Sequence, residues 1–346
     1  MGTRLAYGET VPTLVDAALL PLDRLRTKLF RAFGPLARVL VADRELRVAA
    51  QGLLLISISL AFTATIPLWM LGLSPILLGV PHLLADLRYC VARPGYHRRT
   101  AWVIGVGAPL GALIFGADLW IGMLAVPGAF LAASGATWRR ALGVIAGIAL
   151  VWASSLNGRL ATLLLAHGHN FVAVALWWAW RPRGRGLHLW PLLAFLVISL
   201  GIGFGALDGV LAMSATFAPG LGITDHLRVL ARGVEPTLGI RLVLLYAFAQ
   251  SVHYWMWLRM VPDEDRDRVS PRTFRRSWAA LERDVGPLLL WGAIITFVGL
   301  AGWAVFDLAR ARYEYLHFAR FHGVMELAAM ALFLVEGRPA PHRETP

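Results

Sequence analysis

Histidines stand near the middle of four widely separated apolar stretches of this chain. They are His82, the pair His167 and His169, His253, and His322. An ionisable side chain in hydrocarbon costs roughly 2.5 kcal/mol or more unless something pairs with it. Imidazole nitrogen is a good ligand for iron, copper, nickel and zinc. Four histidine positions at similar depth therefore predict one shared internal metal site.

Carboxylates at helical spacing accompany two of these histidines. Asp86 follows His82 by four residues, and Glu326 follows His322 by four, so each pair shares one helical face. A carboxylate that accepts the second ring N–H of a ligating histidine fixes its tautomer and orientation. Alternatively, the carboxylates are ligands themselves. Tyr254, beside His253, is predicted to contact substrate or bound oxygen.

His167 and His169 compete for one place in the predicted site. They are two residues apart, which is about 200° around an ideal helix. Only one of them should face the centre unless Gly168 loosens the turn. Depth along the helix favours His169, and His167 is kept as an alternative ligand.

The composition indicates an integral membrane protein. The chain has 346 residues, of which 58% are hydrophobic and only 16% charged, whereas soluble domains carry about 25% charged residues. A single cysteine, Cys90, excludes an intrachain disulfide and a cysteine-based metal site. The net charge of +12 is distributed between apolar stretches. It therefore predicts membrane topology rather than nucleic-acid binding.

The predicted fold is an all-α, polytopic bundle of about ten transmembrane helices, with a range of eight to ten because some apolar stretches are short. With the N-terminus inside, 26 of the 33 Lys and Arg residues fall in cytoplasmic segments. This asymmetry predicts that both termini are cytoplasmic. Residues 1–46 are interpreted as an amphipathic cytoplasmic segment, 47–336 as the transmembrane domain and 337–346 as a cytoplasmic tail. We expect a multi-pass protein of a bacterial inner membrane, with no removed leader.

The same topology places the histidines in one layer. The four helices that carry them all run in the same direction across the membrane. The histidines lie about 14–21 Å from the outer ends, close to the midplane of a ~30 Å apolar core. Depth does not fix rotation about the helix axis, so their convergence is a prediction.

Residues 79–86, Gly-Val-Pro-His-Leu-Leu-Ala-Asp, resemble a family motif. The motif is the glycine–hydrophobe–proline–histidine segment, with aspartate four residues later, of the Brp/Blh family of membrane β-carotene 15,15′-dioxygenases. In this chain Leu83 replaces the glycine that usually follows the motif histidine. The resemblance implies a polytopic helical bundle that binds one iron through four intramembrane histidines.

The resemblance extends to the order of the later histidine helices. His169 or His167 would match the second ligand of the family, and His253 the third. Trp257 stands one turn after His253, where the family has a further histidine. His322, from another helix, would substitute for that ligand.

These observations favour a non-haem Fe(II) oxygenase embedded in the membrane. Zinc, copper and haem are the alternatives to iron. The expected partners are O₂, a lipophilic isoprenoid- or carotenoid-like substrate and the lipid bilayer; nucleic acid is not expected, and no protein partner is indicated. One rival hypothesis is a proton-coupled transporter, because intramembrane His, Asp and Glu also form proton relays. Another is a non-catalytic membrane subunit whose histidines ligate haem.

Overall fold

The structure is a computed structural model that describes residues 14–180, 184–209 and 219–337. Within these ranges every regular element is helical, which confirms the all-α prediction. In chain order the α-helices are α1 (Leu14–Ala32), α2 (Gly34–Ala42), α3 (Arg44–Thr65), α4 (Pro67–Asp86), α5 (Thr100–Trp102), α6 (Ala108–Ile114), α7 (Leu119–Met123), α8 (Ala125–Ala132), α9 (Thr137–Leu156), α10 (Gly158–Trp180), α11 (Leu189–Gly203), α12 (Ile223–Leu230), α13 (Pro236–Trp255), α14 (Val261–Glu264), α15 (Phe274–Val285), α16 (Pro287–Phe306), α17 (Leu308–Phe318) and α18 (Arg320–Glu336).

Six helical segments of the described chain are long and apolar enough to cross a membrane. They are Arg44–Thr65, Pro67–Ala92, Thr137–Leu156, Gly158–Trp180, Pro287–Phe306 and Leu308–Glu336. Three shorter apolar helical segments accompany them, Thr100–Ile114, Leu119–Ala132 and Leu189–Gly203. These segments support a membrane protein. The count of about ten spans and the cytoplasmic termini stay predictions, and residues 1–13 and 338–346 of the predicted terminal segments lie outside the described residues.

The apolar helices divide into an outer and an inner set. In α16 only 6% of the most apolar window is buried, whereas the figure is 67% for the segment that begins with α4 and for the α17–α18 segment. Outer helices thus present apolar side chains outward, as lipid-facing helices do. The two buried segments carry four of the predicted site residues, namely His82, Asp86, His322 and Glu326.

Helices α4, α13, α10 and α18 form a closed ring, in which each packs against the next and α18 packs back against α4. Two glycines permit the close approach. A Cβ at Gly323 would lie 3.2 Å from the Cβ of His169. A Cβ at Gly79 would overlap the Tyr315 ring, so the packing of the two helices requires a glycine at this position of the 79–86 motif.

Two helices of this ring change their winding beside the histidines. Pro81 lacks an N–H and removes one backbone hydrogen bond immediately before His82. A π-helical turn, Leu87–Ala92, then follows α4, and a second, Met256–Met260, follows α13 just after His253. Such π turns occur frequently at functional sites.

A buried ion-pair cluster fixes one end of the bundle, and we call it the Asp263 network. Arg47 donates from Nε to Asp263 Oδ2 at 2.7 Å and from Nη2 to Oδ1 at 2.8 Å. Arg266 Nη2 also donates to Oδ1. The remaining donors of Arg47 reach the carbonyl oxygens of Leu40 at 2.6 Å and Val269 at 2.7 Å. The network therefore ties α2 and α3 to the segment around α14.

Candidate metal centre

The ring of four helices brings four of the predicted histidines together. His82 comes from α4, His169 from α10, His253 from α13 and His322 from α18. The ring centroids of His82 and His253 are 4.6 Å apart, and those of His82 and His322 are 5.0 Å apart. His169 lies 5.1 Å from His253 and 5.0 Å from His322. The imidazoles of these four helices thus share one buried volume, which is the arrangement that matched depth alone could not establish.

The ring nitrogens point inward. His82 Nε2 and His253 Nε2 are 2.6 Å apart, so at most one of them carries a proton between them. His169 Nδ1 lies 2.8 Å from the carbonyl oxygen of Leu165, to which an Nδ1–H would donate, and Nε2 is then the lone-pair nitrogen. His322 Nδ1 contacts the carbonyl oxygen of Ala319 in the same way. Ring nitrogens of His82, His253 and His322 therefore converge on one point, with the ring of His169 packed beside them.

Both predicted carboxylates reach this centre. Asp86 Oδ2 lies 3.1 Å from Nε2 of His82, as the spacing of four residues predicts. The prediction paired Glu326 with His322, but Glu326 Oε1 instead lies 3.3 Å from Nε2 of His253 on α13. Each carboxylate approaches the nitrogen that faces the cluster rather than the outer Nδ1. This geometry favours carboxylates among the ligands over carboxylates that orient the rings from behind.

The donors fit a transition-metal ion. One atom each from His82, Asp86, His253 and His322 can be chosen so that all lie within 4.8 Å of one another. Nitrogens bound to one ion at about 2.1 Å and at right angles are about 3.0 Å apart, so the 2.6 Å contact would widen by only a few tenths of an ångström. A mixed set of imidazoles and carboxylates suits iron, zinc or copper.

Unpaired buried atoms give a second reason to expect a bound ion. His82, Asp86, His253 and Glu326 are fully buried. Among the described residues, Asp86 Oδ1, Glu326 Oε2 and His322 Nε2 have no hydrogen-bond partner. A buried polar atom without a partner costs about 1–3 kcal/mol. Several such atoms around one point are explained by a ligand that they share.

His167 does not belong to the cluster. Its Nε2 lies 2.8 Å from the carbonyl oxygen of Leu230, and its ring packs 5.5 Å from that of Tyr246. Helix α10 stays regular through Gly168, so the offset of two residues turns His167 away from His169. This placement corrects its assignment as an alternative metal ligand.

Two aromatic residues complete the surroundings. Trp257, absent from the predicted site, donates from Nε1 to Glu326 Oε1 at 2.6 Å and is fully buried. Its position four residues after His253 was the available signal. Tyr254 lies with its ring 4.8 Å from that of His82, and its hydroxyl accepts a hydrogen bond from Gln250 Nε2 at 2.8 Å. Its contact with substrate stays a prediction.

A cavity of about 330 Å³ adjoins the cluster. His169, His322, Tyr254, Tyr315 and Arg312 contribute to its wall. Arg312 lies in α17 and is only 7% exposed, so this arginine is a buried residue of the bundle. A molecule in this cavity would therefore lie next to His169 and His322.

No protein-family model matches this chain. No curated protein and no solved structure matches it either.

Proposed function

We propose that this chain is a membrane-embedded metalloenzyme, a non-haem iron oxygenase that acts on a lipophilic, isoprenoid-like substrate. The observation that carries the proposal is the meeting of imidazoles from four helices, with two carboxylates, in a volume closed to solvent. The resemblance of residues 79–86 to the Brp/Blh motif supports the same reading. A multi-pass position in a bacterial inner membrane belongs to this proposal.

Charge balance favours a divalent cation. Asp86 and Glu326 bring two carboxylates into a fully buried volume, where separated charges are expensive. A doubly positive ion among neutral imidazoles would offset both carboxylates without further counter-ions. In this role His82, Asp86, His253 and His322, whose donor atoms lie within 4.8 Å of one another, would hold the ion, and His169 would lie beside it. Trp257 fixes Glu326 through its indole N–H.

The surroundings suit oxygen chemistry on an apolar molecule. When bound, a ferrous ion supplies the electrons that make dioxygen reactive toward an alkene or alkyl chain. The closed pocket around His82 and His253 excludes water from that chemistry. The cavity beside His169 and His322 would hold the substrate, and Tyr254 would position it.

The close contact of two ring nitrogens favours a bare ion over haem. Two imidazoles on opposite faces of a haem iron are separated by about 4 Å, since each Fe–N bond is about 2 Å long. His82 Nε2 and His253 Nε2 are 2.6 Å apart, which leaves no room for a porphyrin plane between them. Zinc or copper would use the same donors, so the identity of the metal must be measured.

Elemental analysis of protein purified in detergent tests the proposal. We expect about one iron per chain, and loss of that iron in His82→Ala and His253→Ala. His167→Ala is the matched control, since it removes a half-buried histidine of the same bundle that lies outside the cluster. Oxygen uptake with a conjugated polyene should follow the iron content. Wild-type protein without a stoichiometric transition metal would contradict the proposal, and a Soret band would indicate haem instead.

A further inference from the structure

Arg312 is a buried cation on the wall of the cavity beside the metal centre. It is only 7% exposed, and it shares that wall with Tyr254, Tyr315, His169 and His322. An arginine is charged at every physiological pH. Its position in an apolar bundle therefore needs a physical reason.

One part of the guanidinium has a structural role. Pro75 has no N–H, so the carbonyl oxygen of Leu71, four residues earlier in α4, loses its helical partner. Arg312 Nε donates to that oxygen at 2.6 Å. This hydrogen bond explains the direction of the side chain, but it uses only one of the five N–H donors of arginine.

The charge itself is not balanced by this contact. In the described ranges of the chain, Arg312 donates to a backbone carbonyl and no carboxylate pairs with it, and no Asp or Glu contributes to the cavity wall. The segment 210–218, outside those ranges, contains no Asp or Glu. Burying an unpaired charge is expensive, whereas a carboxylate offers the planar guanidinium two parallel hydrogen bonds. The missing counter-ion therefore fits a ligand.

We propose that this cavity binds a lipophilic carboxylic acid, whose carboxylate pairs with Arg312 while its apolar chain extends toward His169 and His322. This acid site would hold the substrate of the proposed oxygenase. It rests on that function, because only the proposed metal chemistry gives His169 and His322 a role at their end of the cavity. A pure hydrocarbon would give the guanidinium nothing to bind. Arg312 thus selects an acid over the neutral ester or alcohol of the same chain.

The test measures binding of parinaric acid and of its methyl ester to the protein in phosphatidylcholine nanodiscs. Energy transfer from the tryptophans to the polyene reports occupancy, and empty nanodiscs correct for partition into lipid. We expect the wild type to bind the acid about tenfold or more tightly than the ester, the range of a charge-assisted hydrogen bond. In Arg312→Gln the ratio should fall to about one, while ester affinity changes less than about twofold.

Two further variants separate the charge from the fold. Arg312→Lys keeps the positive charge and should keep a clear preference for the acid. Arg320→Gln removes another arginine of the same cavity wall and should leave the ratio unchanged. Equal binding of acid and ester by the wild type overturns the inference without any variant, and so does a ratio that persists in Arg312→Gln.

The same samples keep this inference separate from the proposed oxygenase. Binding of the probe needs no metal, so it is measured before and after treatment with a chelator. A preference that depends on Arg312 in protein that never held a metal would support the acid site and overturn the oxygenase. Stoichiometric iron together with equal binding of acid and ester would support the oxygenase and overturn the acid site.

Discussion

The Asp263 network and the metal centre are both clusters of buried polar residues, and their hydrogen bonding differs. In the Asp263 network both carboxylate oxygens accept from guanidinium groups, and the other donors of Arg47 reach backbone carbonyls. At the metal centre, equally buried atoms of Asp86, Glu326 and His322 have no partner among the described residues. Burial of charge is common to both, so burial alone does not identify a binding site. What sets the metal centre apart is that unpaired atoms of several ligand-type side chains lie around one point.

The largest effect should come from breaking the closed cluster. Asp263→Ala leaves Arg47 and Arg266 buried without their counter-ion, and breaking such a pair costs about 3–5 kcal/mol. We expect a corresponding fall in the free energy of unfolding, measured by denaturant titration in detergent. The metal content of the protein that remains folded should not change.

Asp208→Ala is the control for this variant, since Asp208 forms an exposed ion pair with Arg241 at 2.6 Å. Exposed pairs contribute little, and no measurable loss of stability is expected. If Asp263→Ala instead removed the metal without destabilising the chain, the two clusters would have been assigned the wrong roles.

Asp86→Asn should lower metal affinity without lowering stability, which is the opposite of the result expected for Asp263→Ala. The amide keeps the shape but removes one negative charge from the metal centre. Loss of a group that only orients a ligand costs about 10- to 100-fold in metal affinity, so we expect at least this loss for Asp86. Competition with a chelator of known affinity measures it. Stability of the metal-free chain should be unchanged or higher, because a buried carboxylate is replaced by a neutral group. Cys90→Ala, one turn later and also buried, serves as the control; equal metal loss in both variants would contradict the assignment.

Trp257→Phe should produce a smaller change at the same centre. It removes the hydrogen bond to Glu326, which is worth about 0.5–1.5 kcal/mol, so metal affinity should fall by roughly threefold to tenfold. Trp180→Phe is a matched control, because Trp180 is buried beside Trp257 and donates instead to Asp265 at 3.3 Å. An equal loss of affinity in both variants would mean that general repacking, not support of Glu326, is responsible.

The smallest effect should be a dependence of stability on pH. Burial alone would raise the pKa of Asp284, but Arg88 and Arg93 hold that pKa below its ordinary value of 3.8. On acidification the unfolded chain therefore takes up this proton first. The stabilisation is present above about pH 4 and is lost as the pH falls through the lowered pKa.

Thermal unfolding of wild type and Asp284→Asn at stepped pH values measures this effect. The difference in Tm between them should stay constant from about pH 7 to about pH 5 and shrink below about pH 4. A difference in Tm that grows on acidification would show that folding raises the pKa of Asp284 instead of lowering it.

The sequence was sufficient for the helical class and for the long apolar segments of a membrane protein, because hydropathy and spacing are local properties. It also favoured His169 over His167, since a regular helix separates residues two apart. It did not predict that Glu326 reaches His253, because that contact depends on rotation of α18 relative to α13. Helical spacing predicts which residues share a face of one helix. It does not predict which residues of a neighbouring helix that face contacts.

The burial of Arg312 could not be predicted for a different reason. Counting basic residues between apolar stretches assigns arginines to loops, and an arginine within a continuous helical segment is miscounted. Pro75 carried a usable signal, since a proline inside a helix frees a carbonyl that some donor must satisfy. The identity of that donor depends on which helix packs against α4.

The absence of a side chain at Gly79 has a mechanical consequence. The Tyr315 ring, which forms part of the cavity wall, rests directly on the main chain three residues before His82. A molecule that pushes this ring aside must also press on the backbone that carries His82. Occupation of the cavity and the spacing of the imidazoles are thus coupled through the ring of Tyr315.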